Sequence, residues 1–266
     1  MELIRIDDPA DLRVASYLSV RERDLTGRQG CFIAEGKVVL NVLFAAARFE
    51  PESVLVLESR LQGLADTLRL APPSMPVYVA PQPVMDAIAG FHIHRGILAI
   101  GRKRELDEPE ALVASLPRRA MVVVLVGLSN HDNVGAIFRN AAAFGADAVL
   151  LDTGCCDPLY RKSIRVSVGA ALKVPFAVAP DAGDIAALLD REGYEQVALS
   201  PGGTEDIRGA ARPDRVAIYI GTEGEGLPQS LMSRLRTVRI GMAPGFDSLN
   251  VAAATAITLH HFSRSG

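Results

Sequence analysis

Short apolar runs alternate with stretches of helical period along most of the chain. From Gly30, Cys31-Phe32-Ile33-Ala34 reads as a strand, Lys37 to Arg48 as a helix and Ser53-Val54-Leu55-Val56-Leu57 as a second strand. The switch of apolar period between two and about 3.6 gives a βαβ rhythm. A Pro-rich break at Ala71-Pro72-Pro73 precedes Val77-Tyr78-Val79, and the run from Gly96 to Gly101 closes an α/β unit of about 100 residues. Arg102 to Arg119 turn polar and charged, with a short helical patch up to Pro117, and read as a linker. The run Met121-Val122-Val123-Val124-Leu125-Val126 has no polar alternation, which marks a parallel strand covered on both faces. Further runs at Ala148 to Leu151, Val174 to Val178, Val197 to Leu199, Val216 to Ile220 and Val238 to Ile240 predict an open, mostly parallel sheet. The expected organisation is a smaller N-terminal α/β domain over 1–103, a linker over 104–118 and an α/β domain over 119–266.

Composition narrows the function. A chain of 266 residues, 49% hydrophobic, can bury a core in each of two domains. Its formal net charge of -3 excludes a protein that coats nucleic acid through a global positive field, so any such contact is a local patch. No apolar run is long enough to span a bilayer and no leader-like start is present, so a cytoplasmic protein with no membrane partner is expected. Three cysteines, Cys31 and the adjacent Cys155 and Cys156, make no disulfide framework and read as reduced thiols. With five scattered histidines and no CxxC, no metal is expected.

Three strand-ending segments carry the polar chemistry. In the first, Gly127 to Ala141, polar residues gather at a strand's carboxyl end before a helix, where open α/β sheets place ligands. Asn133 reads as its N-cap, while Gly135 and Arg139 lie four apart on one helix face. A surface arginine on an ordinary capped helix accounts equally well for this pattern. The second, Gly221-Thr222-Glu223-Gly224-Glu225-Gly226-Leu227, is a glycine-rich turn after a strand. Close approach of backbone to a ligand is one reason for such glycines. Its spacing is neither GxGxxG nor a P-loop, and its two carboxylates suit a cationic ligand better than a phosphate, although solvated turn carboxylates are the commoner cause. The third, Ile240 to Ala254, runs from a strand through a loop into an alanine-rich helix, where Ser248 reads as a possible cap.

In order, spacing and identity the three segments together resemble the motifs of the SpoU/TrmH family of RNA 2′-O-ribose methyltransferases, in the SPOUT superfamily. Asn-x-Gly-x-x-x-Arg is met by Asn133, Gly135 and Arg139, Gly-x-Glu-Gly-x-Gly-Leu by Gly221, Glu223, Gly224, Gly226 and Leu227, and Ser-Leu-Asn-Val by Ser248 to Val251. Arg161 to Ala170 is similar to the family's segment between its first two motifs, and Phe32-Ile33-Ala34-Glu35-Gly36 with Gly90 to Gly96 to its ribosomal-protein-like N-terminal substrate-binding domain. Asn130 and His131 stand where the family often has Asp-Pro, and Gly241 where a proline often precedes the methionine.

The resemblance implies a trefoil knot at the C-terminal end, S-adenosylmethionine as methyl donor, a homodimer, and an RNA acceptor, ribosomal favoured over transfer RNA. It implies cofactor contacts at Leu199, Ser200, Gly221, Thr222, Gly226, Ile240, Met242 and Leu249. Catalysis falls to Arg139, with Asn133, Glu223, Ser248 and Asn250 organising the pocket. A guanidinium keeps its proton under ordinary conditions, so Arg139 is expected to orient the acceptor and stabilise a developing alkoxide while a phosphate oxygen or water takes the proton. The basic groups Arg161, Lys162 and Arg165, and Arg21, Arg23 and Arg28, are the expected RNA contacts, with solvated surface charge the competing explanation. His92, His94 and Arg95 have no assigned role. The rival function is a non-catalytic RNA- or ribosome-binding protein that keeps the fold. A nucleotide-dependent oxidoreductase lacks its glycine fingerprint here.

Overall fold

Burial along each strand shows which segments are central. In the computed structural model, which describes residues 2–18, 30–246 and 248–263, contacts divide the chain into two units: 1–105 with 157–173, and 106–156 with 174–266.

The first unit is built on Leu3–Arg5 (β1), Cys31–Glu35 (β2), Glu50–Leu57 (β3), Val77–Ala80 (β4) and Ile97–Arg102 (β5), in the order β1-β4-β3-β5-β2. The sheet is mixed: β1, β4 and β3 run parallel, while β5 is antiparallel to both β3 and β2. The βαβ rhythm therefore joins two strands separated by β5. Every residue of β2 is buried, Glu35 included. That carboxylate is 2.6 Å from the Arg161 guanidinium, which also lies 5.3 Å over the Phe91 ring, so the helix Arg161–Val166 is fixed to β2. Lys103 pairs with Asp157. Gly169 sits against Val39 and Val42 of the helix Lys37–Ala46, where a Cβ would come within 3.1 Å of Val42 Cβ. Residues 157–173, which sequence pattern assigns to the second domain, thus pack as part of the first unit.

The second unit holds Ala120–Leu125 (β6), Ala148–Asp152 (β7), Phe176–Ala179 (β8), Glu195–Leu199 (β9), Glu205–Asp206 (β10), Arg215–Ile220 (β11) and Arg236–Arg239 (β12). All pairings are parallel, in the order β10-β12-β9-β11-β6-β7-β8. β6 is buried throughout, as its unbroken apolar run requires. Val122 and Val124 join Ile185 and Leu189 of the helix Ala182–Arg191 in one core. The helix Pro109–Ser115, inside the expected linker, contributes Leu112 and Val113 to that same core. Phe138, from the helix His131–Phe144, meets Phe176 edge-on at 5.6 Å. The chain steps outward from β6 to β8, crosses to β9, and later inserts β11 between β9 and β6. Such a reversal of strand order opens a crevice at the carboxyl ends, where α/β sheets bind ligands. No helix among the described residues is long and apolar enough to cross a membrane.

Candidate active site

The carboxyl ends of β9, β11 and β12 surround a cavity of about 330 Å³, within the size range of small-molecule sites. All eight residues expected at the cofactor lie on its wall: Leu199, Ser200, Gly221, Thr222, Gly226, Ile240, Met242 and Leu249. Glu223 and Ser248 line it too, as do Pro201, Gln229 and Met232, which no motif singles out.

The loop after β11 folds back on itself. The Thr222 amide and hydroxyl each donate to the Gly226 carbonyl at 3.3 Å. A Cβ on Gly221 would stand 2.4 Å from the Gly226 carbonyl carbon. The glycine is therefore required by closure of the loop upon its own backbone, a different reason from the approach of backbone to a ligand that the sequence suggests. Gly226 itself has φ +72°, a left-handed conformation that glycine adopts without strain.

Glu223, at the tip of this loop, ties the three segments together. Its Oε1 accepts from Asn133 Nδ2 at 2.5 Å and from Asn250 Nδ2 at 3.4 Å, and Asn250 Nδ2 also lies 3.1 Å from Asn133 Oδ1. Asn133 is buried as the third residue of its helix and is not the cap: Asn130 is, accepting from the Asp132 amide at 2.9 Å. Asn250 caps the C-terminal helix Val251–Phe262 through the amides of Ala252 and Ala253, a role the sequence offered to Ser248, which is exposed. One residue that motif reading misses is Asn140. Its Nδ2 donates to the Ala252 carbonyl at 2.8 Å, holding the two helices together from a position seven after Asn133, on the same helix face.

Arg139 projects from the helix His131–Phe144 as an exposed side chain with no hydrogen bond or ion pair among the described residues, and it does not line the cavity. Of the expected RNA contacts, Arg161 is committed to Glu35, Lys162 and Arg165 are exposed, and Arg21, Arg23 and Arg28 lie outside the described residues. Burial pushes the Cys155 thiol up to about 12, and its Sγ donates to the Leu125 carbonyl at 3.3 Å, which suits packing at the end of β6 and not nucleophilic chemistry. Among the described residues no group of three or more His, Cys, Asp or Glu is placed to hold a metal.

The wall chemistry fits S-adenosylmethionine. Among the described residues no lysine, arginine or histidine lines the cavity, whereas Glu223 and Glu225 do. That set disfavours a di- or triphosphate and favours a ligand carrying positive charge, such as a sulfonium. Apolar side chains of Leu199, Ile220, Ile240 and Leu249 line the cavity as well, as suits the flat apolar faces of an adenine.

Residues 120–260 match the SpoU rRNA Methylase family. An uncharacterized tRNA/rRNA methyltransferase of Mycobacterium bovis is 40% identical, over 98% of this chain and 89% of that one. A crystal structure of an AdoMet-bound rRNA methyltransferase from Sinorhizobium meliloti superposes with a TM-score of 0.81 at 23% identity, covering 97% of each chain. That of an RNA 2′-O ribose methyltransferase does so with 0.78 at 27% identity, again over 97% of each. Two motif segments lining one cavity, a third tied to them through Glu223, and a match that spans most of the second unit lead to one conclusion: the chain belongs to the SpoU rRNA methylase family of S-adenosylmethionine-dependent RNA methyltransferases.

Proposed function

We propose that this protein, as a homodimer, methylates a ribose 2′-hydroxyl in structured RNA, with ribosomal RNA the favoured acceptor. The observation that carries the reading is the Glu223 bridge, which joins Asn133 and Asn250 beside the cavity and so fixes the start of the Arg139 helix next to the donor pocket. The 27%-identical RNA 2′-O ribose methyltransferase supports the choice of acceptor atom, and the family's own description supports ribosomal RNA. The trefoil threading expected of the C-terminal end belongs to the same reading.

When bound, S-adenosylmethionine supplies an electrophilic methyl group. The chain supplies position and charge. Backbone around Leu199, Gly221 and Ile240 holds the donor, and the carboxylates of the loop favour its cationic form. The Arg139 guanidinium, exposed and without an ion-pair partner among the described residues, is free to engage an acceptor phosphate and ribose together. There it orients the hydroxyl for in-line attack and stabilises the alkoxide as it develops, while a phosphate oxygen or water receives the proton. Mapping 2′-O-methyl positions in total RNA from cells with and without the gene tests the proposal. One or more ribose methyls lost with the gene, and restored in vitro by the purified protein, is the expected result. An unchanged ribose map with a missing base methyl overturns it.

A further inference from the structure

Asp152 is the last residue of β7 and sits beside the end of β6, where the chain turns toward the helix His131–Phe144. Its Oδ1 accepts from the Gly127 amide at 2.9 Å and from the Gly154 amide at 3.1 Å, and its Oδ2 lies 3.2 Å from the same Gly127 nitrogen. The residues that follow add to this grip. Cys155 Sγ accepts from the Leu128 amide at 3.3 Å, and the Cys156 amide donates to the Leu128 carbonyl at 2.9 Å. Two consecutive residues of the turn after β6 are thus bonded to the loop after β7. Asp152 belongs to none of the three motif segments and does not line the donor cavity.

Gly127 stands at a junction. Its φ of +66° is a left-handed conformation that glycine adopts without strain. A Cβ on it would meet Thr222 Cγ2 at 3.0 Å, and a Cβ on Gly154 would meet Gly127 Cα at 3.2 Å. This one residue therefore lies against the loop after β7 and against Thr222, which is part of the donor-cavity wall. Three residues further on, Asn130 caps the helix that carries Asn133 and Arg139. Any shift of Gly127 moves the start of that helix relative to Thr222. Bonds from a carboxylate to backbone amides are charge-assisted and stronger than neutral ones. Such a hold matters where reacting groups must meet, because a displacement of about 1 Å can cost about a hundredfold in rate.

We propose that Asp152 is a positioning residue for methyl transfer: it fixes the Gly127 turn and, through it, the placement of Arg139 relative to the bound donor. The inference rests on the reading of Arg139 as the group that engages the acceptor. It adds a residue that acts on the reaction through backbone, without reaching donor or acceptor itself. A purely structural role for the same bonds is separable from this one, because β6 carries a matching bond at its other end. There Asp147 Oδ2 accepts from the Met121 amide at 2.8 Å.

The test compares Asp152→Ala and Asp147→Ala in the full chain. Single-turnover transfer of a tritiated methyl group is measured at saturating donor and total RNA from cells lacking the gene, beside calorimetry with S-adenosylhomocysteine and a denaturant melt. Both variants lose one carboxylate that holds β6 backbone, so both should melt at lower denaturant. Only Asp152→Ala should slow transfer, by about tenfold or more, with cofactor affinity held within about threefold. Asp152→Asn keeps the size of the side chain, but either orientation of its amide sets an N–H2 group against the Gly127 N–H. It should slow transfer as well, and it carries the test if the alanine variant folds poorly. Wild-type rates in the Asp152 variants overturn the proposal. So do equal losses of rate in Asp152→Ala and Asp147→Ala, or loss of cofactor binding by folded Asp152→Ala. Tritium counts a methyl on any RNA atom, so an unchanged ribose map corrects the acceptor atom and leaves this result standing. Arg139→Ala, run in parallel, separates the two readings: full turnover there sinks the role of Arg139, whereas a slow Arg139→Ala beside fast Asp152 variants sinks the positioning alone.

Discussion

Arg139 and Glu223 differ in how the fold holds them: one is exposed without an ion-pair partner among the described residues, the other bridges two asparagines. Arg139 is exposed and makes no hydrogen bond or ion pair among the described residues, so Arg139→Ala should keep folding and cofactor affinity while single-turnover methyl transfer falls about a hundredfold or more, the scale for loss of an electrostatic donor. Arg139→Lys should recover little of it, because a point charge cannot span phosphate and ribose as a planar fork does. Near-normal turnover in Arg139→Ala removes it from the chemistry, and loss of S-adenosylhomocysteine binding by the folded variant moves it to the donor side. Glu223 is the converse. Its removal leaves the buried amide of Asn133 without an acceptor, so Glu223→Ala should cost about 1–3 kcal/mol in a denaturant melt and weaken cofactor binding as well. Equal stability would show that water replaces the carboxylate there. These residues were legible from the sequence because their spacing matches a motif, but their contacts were not. Asn130, Asp132 and Asn133 all cap helices well, and only the tertiary bond to Glu223 decides that Asn133 turns inward while Asn130 caps.

Elements buried on both faces were legible and those at the edges were not. The unbroken apolar runs of β6 and β11 admit one interpretation, and both are central strands. β1 and β10, three and two residues long, are too short to show a period and exist only through their partners β4 and β12. The helix Pro109–Ser115 was read as part of a linker because charged neighbours flank it, while its Leu112 and Val113 are core. The loop after β11 gives a sharper comparison. Gly221→Ala forces a methyl to 2.4 Å from backbone and should weaken S-adenosylhomocysteine binding about tenfold or more, through strain of the overpacking size. Gly224→Ala, at the next glycine along the same loop, meets nothing within 4 Å and should bind as the wild type does. Calorimetry on the two variants separates closure of the loop from simple glycine content, and equal affinities would mean that the loop opens to bind.

At the scale of the molecule the two units are not joined by a single connector. The chain leaves the second unit after Cys156 and returns to it at Val174, having given residues 157–173 to the first. A fragment over 106–266 therefore lacks Glu35, Val39 and Val42, against which Arg161 and Gly169 pack. Trypsin should cut it at Arg161, Lys162 and Arg165 faster than it cuts the full chain, as mass spectrometry of timed digests would record. Equal rates would show that this segment holds its helices unaided. Residue pattern could not reveal the exchange, since Ile164, Ala171 and Leu172 are apolar and buried, a character that suits the core of either unit. The same excursion matters during synthesis. A ribosome that has released residue 105 has not yet delivered a complete first unit, because Arg161, the cation that neutralises the buried Glu35, is still to come, after β6 and β7 have been made. Nascent chains stalled near residue 105 should thus remain open to protease and become protected only once residue 173 has cleared the exit tunnel, so the N-terminal half waits on the C-terminal half in spite of being translated first.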